Sequence, residues 1–193
     1  MDVLEAILTR RSVPGVLDEP PEREVIEKLL AAAVTAPNHH MTEPWRFVVI
    51  KGEARSELGA VMEASLRQRM VGEDPIKIEG QALAERKKLL RAPVVIAIAV
   101  KRDEESHIPP FEDMAATSAA VQNLLLAAHG LGLGAFWKSH SIFDSAVKAH
   151  LNLEERDELI AFVYVGYPDP TAQQRPPKVR TGFGDKTTWL GWD

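Results

Sequence analysis

The stretch Pro93-Val94-Val95-Ile96-Ala97-Ile98-Ala99-Val100 restricts this chain more than any other. Residues 94–100 are its longest apolar run, far too short to cross a bilayer. The run is rich in β-branched residues, opened by a proline and closed by Lys101. It reads as a central strand of a sheet, buried on both faces. A strand of that kind needs cover above and below.

The flanking sequence supplies the cover. Val3, Leu4, Ile7 and Leu8 recur at helical spacing and predict a first helix ending near Arg10-Arg11-Ser12, before Pro14-Gly15. Val25, Ile26, Leu29, Leu30 and Ala33 predict a second, which must stop before Pro37. Residues 46–51 read as a strand, with the Phe47-Val48-Val49-Ile50 run buried and Gly52 as its end. Helical patterns follow at 54–71 and 81–90, with a loop at 72–80 between them. Residues 101–111 are polar and contain prolines, so they read as a loop or lid. Residues 114–129 are alanine-rich and predict a helix buried on most sides, with Gly130 at its C′ position. A strand at 132–137, a short helix at 144–151 capped by Asp144 or Phe143, and a strand at 159–166 complete the pattern. The order is that of an α+β sandwich, a few strands covered by helices. A length of 193 residues suits one domain over 1–193, with 168–193 as a proline-rich tail. That tail carries Trp189 and Trp192 without an element of its own, so it is expected to lie on its own subunit or on a partner.

Composition closes several routes. There is no cysteine, hence no disulfide, thiolate nucleophile or iron–sulfur cluster. A net charge of −5 argues against broad nucleic-acid binding while leaving room for a local phosphate site. Acids follow Met1 where a signal peptide would carry bases, and the expected compartment is the cytoplasm, with no membrane partner.

Five groups of residues could carry chemistry. Arg10, Arg11 and Ser12 can grip a phosphate, or simply complement a helix C-terminus. His39, His40 and Glu43 fall in a loop bracketed by Pro37 and Pro44. A helical turn would set His39 beside Glu43, which leaves a metal-dependent hydrolase open alongside plain loop hydrogen bonding. Gly130-Leu131-Gly132-Leu133-Gly134 follows a helix and precedes a strand, the reverse of a dinucleotide loop, so its glycines read as a helix stop and a place of close backbone approach. Trp137, Lys138 and Ser139 end a strand, where they can face a ligand or form core and solvated neighbours. Lys178 and Arg180 are a basic pair in the tail.

Taken in order, these segments resemble the nitroreductase family of flavoproteins, and within it the compact branch with short chains. Three elements carry the resemblance: Arg-Arg-Ser after the first helix, A-P-x-H-x-x-x-E-P-W-x-F-x-V at 36–49, and a glycine-rich entry to a strand ending Trp-Lys-Ser. It covers residues 2 to about 167. The resemblance implies an α+β sandwich with a mainly antiparallel central sheet, an intertwined homodimer and one FMN at each of two shared sites. It implies that Arg10, Arg11 and Ser12 hold the phosphate and ribityl chain or ring edge. His39 would reach FMN from the other subunit, with Thr35 just upstream. Trp137, Lys138 and Ser139 match a Trp-Arg-Ser segment near the flavin; Lys138 keeps the charge of that arginine but not its bidentate fork. Ala127 to Gly132 matches a stretch linked to the nicotinamide nucleotide, and Lys178 with Arg180 a C-terminal basic pair. The implied activity is hydride transfer from NADH or NADPH through flavin N5 to an electron-poor acceptor (nitroaromatic, quinone or enone), by ping-pong steps. No side chain is assigned as an obligate acid or base, since the cofactor carries the hard chemistry. A flavin-binding protein without turnover is the remaining alternative.

Overall fold

The computed structural model describes residues 1–103, 105–172 and 179–192. Six helices are found among them: α1 (Val3–Thr9), α2 (Arg23–Ala33), α3 (Glu53–Arg69), α4 (Pro75–Arg86), α5 (Pro110–Gly130) and α6 (Ser145–His150). Four strands alternate with these: β1 (Trp45–Lys51), β2 (Val94–Val100), β3 (Gly134–Lys138) and β4 (Glu158–Gly166). They form one sheet in the order β1-β2-β4-β3, and each neighbouring pair is antiparallel. All seven residues of β2 are buried, as its composition requires.

The sheet separates two cores. On one face, Ile26, Leu29 and Ala33 of α2 and Ala120, Val121 and Leu124 of α5 pack against Ile96 and Ile98. On the other, Leu58 and Met62 of α3, Leu89 and Val147 pack against Val95, Ala97, Phe162 and Tyr164. Alternate residues of one strand therefore feed opposite cores, which is why β2 has no polar position.

Local signals place most boundaries. Asp144 caps α6 by accepting from the backbone N–H groups of Ala146 and Val147. Asp74 caps α4 in the same way with Pro75 following it, so this helix starts inside the predicted loop at 72–80. Helix α5 runs through Gly130, and the left-handed residue after it is Gly132 (φ 75°) rather than Gly130.

One other expectation is corrected. The Phe47-Val48-Val49-Ile50 run is not buried: only Ile50 is, and Val49 is 44% exposed. Strand β1 lies at the sheet edge, where one partner is missing and cover is incomplete. The described residues between Lys101 and Pro109 form a loop, as expected, and Arg102 anchors its start. Arg102 donates to Glu158 at 2.5 Å and to the Pro110 carbonyl at 3.0 Å, and its backbone N–H donates to Asp157 at 3.2 Å.

Candidate functional site

Strand β3 forms the other edge of the sheet, and the chain uses residues 13–17 to cover it. The backbone N–H of Val13 donates to Ala135 at 3.1 Å, Val16 bridges Pro168, and Leu17 donates to Tyr167 at 2.8 Å. Glycine makes this approach possible. A Cβ on Gly134 would lie 2.8 Å from Val16, and one on Gly166 would lie 2.9 Å from both Val16 and Pro93. Arg10, Arg11 and Ser12 end directly at this strap, and Trp137, Lys138 and Ser139 continue the strand it covers. The structure thus brings these two predicted groups to one edge.

Arg10 is the half-buried member. Burial, and then the charge of Arg180, pull its guanidinium below its ordinary value. Among the described residues neither Arg10 nor Arg180 has an acidic partner. Cations of this kind can accept a dianion such as a phosphate monoester. Arg180 comes from the tail; its neighbour Lys178 lies outside the described residues.

Thr35 and His39 sit elsewhere. The Thr35 hydroxyl donates to the Ala32 carbonyl at 2.8 Å, closing the end of α2. His39 opens a 3₁₀ turn over His39–Met41 and holds Glu112, in the first turn of α5, through Nδ1 at 2.5 Å. Thr42 donates to Asp113 at 3.1 Å, so the loop is docked on the N-terminus of α5 at two points. His40, Met41 and Glu43 all have positive φ (49°, 55° and 42°), a strained run held by these contacts. The helical turn that would have set His39 beside Glu43 is absent, and His39 instead stacks on His40 at 4.3 Å. Among the described residues no three His, Asp or Glu side chains are arranged to hold a metal ion.

The two halves of the predicted site are far apart in one chain. The Thr9 hydroxyl meets His129 at 2.8 Å, at the C-terminal end of α5, while His39 meets Glu112 at its N-terminal end. Seventeen helical positions separate Glu112 from His129, which is about 26 Å of helix at the standard rise.

Sequence reasoning missed His140. Its Nε2 lies 2.7 Å from the Tyr164 hydroxyl and its ring stacks on Phe162 at 5.0 Å. Two-residue alternation from Phe136 would have aimed position 140 at the same core, had the strand pattern been carried beyond Ser139. Burial, and then the charge of Lys88, push the imidazole down to about 4, although Glu85 opposes this. The folded value lies below the unfolded value of 6.5, so the unfolded chain takes up the proton first as pH falls. The contribution is full above about pH 6.5 and is lost as pH drops toward 4. Discounted for partial exposure, the loss amounts to roughly 2 kcal/mol by pH 4.5. Denaturant unfolding at pH 7.5 and 4.5 should show a smaller acid loss in His140→Phe than in the unsubstituted protein. Equal losses refute the assignment.

Glu112 and Asp113 were likewise not foreseen as partners of the 38–43 loop. Glu112 and Asp113, one residue beyond Pro109-Pro110, were the available signal, because acids favour a helix start. A cavity of about 320 Å³ lies on the other side of the sheet, lined by Arg69, Glu85, Lys88 and residues 141–144. None of the sequence-predicted residues lines it. Its cations are already taken, Arg69 by Asp144 and Lys88 by Glu85.

The nitroreductase family model matches residues 7–167. A relative from Escherichia coli K12, named "Putative NAD(P)H nitroreductase YdjA", is 31% identical over 169 residues, covering 87% of this chain and 89% of its own. A nitroreductase-like family protein from Bacillus cereus superposes with a TM-score of 0.82 at 29% identity, covering 99% of this chain and 97% of that one. A Desulfovibrio desulfuricans protein solved in complex with FMN superposes at 0.67 with 31% identity, covering 91% and 92%.

Proposed function

The chain belongs to the nitroreductase family, and from that premise we propose that it is an FMN-dependent oxidoreductase using NADH or NADPH. Bound FMN would accept hydride at N5 from the nicotinamide and pass it on to an electron-poor acceptor (nitroaromatic, quinone or enone) in a separate, ping-pong half-reaction. The observation that carries this reading is the strap of residues 13–17, which brings the Arg10-Arg11-Ser12 segment to the edge of β3 where Trp137 to Ser139 lie.

The residues divide the work as follows. Arg10 and Arg180 hold the phosphate, with Arg11 and Ser12 on the adjoining chain. Trp137, Lys138 and Ser139 border the ring, and Lys138 offers a cation for the negative charge the ring gains on reduction. His39, with Thr35 upstream, acts from a second copy of the chain, fixed in place by Glu112. Exclusion of water at this edge also falls to the second copy.

Three features support a homodimer with shared sites. His39 and Arg10 are separated by most of the length of α5. No residue of α1 is buried, and Val3, Leu4, Ile7 and Leu8 are 51 to 83% exposed. Phe183, Trp189, Leu190 and Trp192 of the tail are exposed as well. Apolar surface of that extent calls for a partner. No helix among the described residues is long and apolar enough to cross a membrane.

An absorbance spectrum tests the reading. The purified or FMN-reconstituted protein should be yellow, should bleach with NADH or NADPH without oxygen, and should recover its colour when a quinone or nitroaromatic is added. Failure to take up FMN overturns the proposal. A yellow protein that neither nucleotide bleaches is a flavin-binding protein without turnover.

A further inference from the structure

Trp137, Lys138 and Ser139 are exposed, and among the described residues no side-chain hydrogen bond or ion pair holds any of them. They end an edge strand whose strand partner among the described residues is β4, and the last pair is Lys138 with Phe162. Something beyond Ser139 must fix where these three residues sit.

The next residue is gripped from two sides. His140 bonds the Tyr164 hydroxyl at 2.7 Å and stacks almost parallel on Phe162 at 5.0 Å, with 9° between the rings. Phe162 and Tyr164 are the same two residues of β4 whose backbones pair with Lys138 and Phe136. Tyr164 in turn stacks on Phe136 at 4.6 Å. His140 therefore locks the end of β3 to its neighbour by side chains where the backbone ladder stops. The turn that follows is fixed too. Ser141 has a positive φ of 53° and donates to Glu85 at 2.7 Å, and Asp144 pairs with Arg69.

We propose that His140 is a positioning residue for the flavin site, setting Lys138 and Ser139 against the cofactor by clamping the strand end to Tyr164 and Phe162. The inference rests on the FMN reading of the preceding section. The state of the group agrees with the geometry. Burial raises the Tyr164 phenol, which stays protonated and can donate to a neutral imidazole. The Nδ1 atom of His140 is buried and without a partner among the described residues, so Nε2 alone carries the polar contact.

The test compares the unsubstituted protein with His140→Phe, which keeps the stack and loses the hydrogen bond, and with Tyr164→Phe, which loses the same bond from the other side. His140→Gln restores a polar group. FMN affinity of the apoprotein, the midpoint potential of bound FMN and the melting temperature of the apoprotein are read for each. Both phenylalanine variants should bind FMN about tenfold more weakly. They should also lower the potential by about 30 mV, the equivalent of a tenfold weaker preference for the two-electron reduced form. His140→Gln should recover part of both. A lowered melting temperature with affinity and potential unchanged assigns His140 a structural role only and overturns the proposal. Should His140→Phe fail to fold, Tyr164→Phe decides alone by the same two readouts. An unsubstituted protein that takes up no FMN overturns the flavin reading itself and this inference with it, an outcome distinct from normal uptake by all variants.

Discussion

FMN binds Arg10→Ala about 100-fold more weakly than the unsubstituted protein, a loss of roughly 2 to 3 kcal/mol. The magnitude is that of a charged hydrogen bond to phosphate removed from a half-buried position. Arg180 remains and limits the loss. The same substitution leaves the melting temperature of the FMN-free protein unchanged or raises it, because Arg10 is desolvated and opposed by Arg180 when no anion lies between them. A structural arginine would behave in the opposite way. Mixing variants extends the test. His39→Ala and Arg10→Ala chains, each weak alone, should form heterodimers in which one of the two sites holds only unsubstituted residues. Fluorescence titration of that mixture should recover a fraction of sites with full affinity. No such fraction would refute a site shared between chains.

Gly59→Ala lowers the melting temperature by about 5 to 10 °C, from a loss of roughly 2 to 3 kcal/mol. Two effects compete at this position. Alanine in a helix interior is favoured over glycine by about 1 kcal/mol. Against that, a Cβ on Gly59 would stand 2.3 Å from the carbonyl oxygen of Arg86 and 3.3 Å from its carbon. Both are backbone atoms, so no rotamer change relieves the overlap, and α4 must move off α3. The ion pairs that span the two helices, Arg67 with Glu79 at 2.9 Å and Arg86 with Glu63 at 3.1 Å, are exposed and offer little resistance to that movement. Calorimetry on the variant decides; an unchanged or raised melting temperature would show that the helices can part without cost.

Local chemistry was legible where it acts over a few residues. The β2 run announced a strand buried on both faces, and Asp144 announced the start of α6. The Phe47 to Ile50 run misled because exposure follows from strand order. Strand β4 inserts between β2 and β3, leaving β1 with one neighbour. No feature of residues 46–51 encodes that. The candidate site divides in the same way. Arg10 to Ser12 and Trp137 to Ser139 were legible as motifs. The contacts of His140 with Tyr164 and of His39 with Glu112 join residues 24 and 73 positions apart, and the charge of Arg180 acts on Arg10 across 170. Pattern over a short window carries no information on such pairs.

The strap of residues 13–17 has a consequence for the order in which the protein is made. Its backbone partners are Ala135, Tyr167, Pro168 and Asp169. They leave the ribosome after a delay on the order of 10 s at usual translation rates. Until then the Arg-Arg-Ser segment emerges with no strand to lie against, and the sheet edge that places it does not exist. A nascent chain halted before β4 carries every motif residue up to Ser139 and still lacks the strand that fixes β3 in the sheet. On the proposed reading, FMN has no assembled β3 edge to bind until that frame is complete.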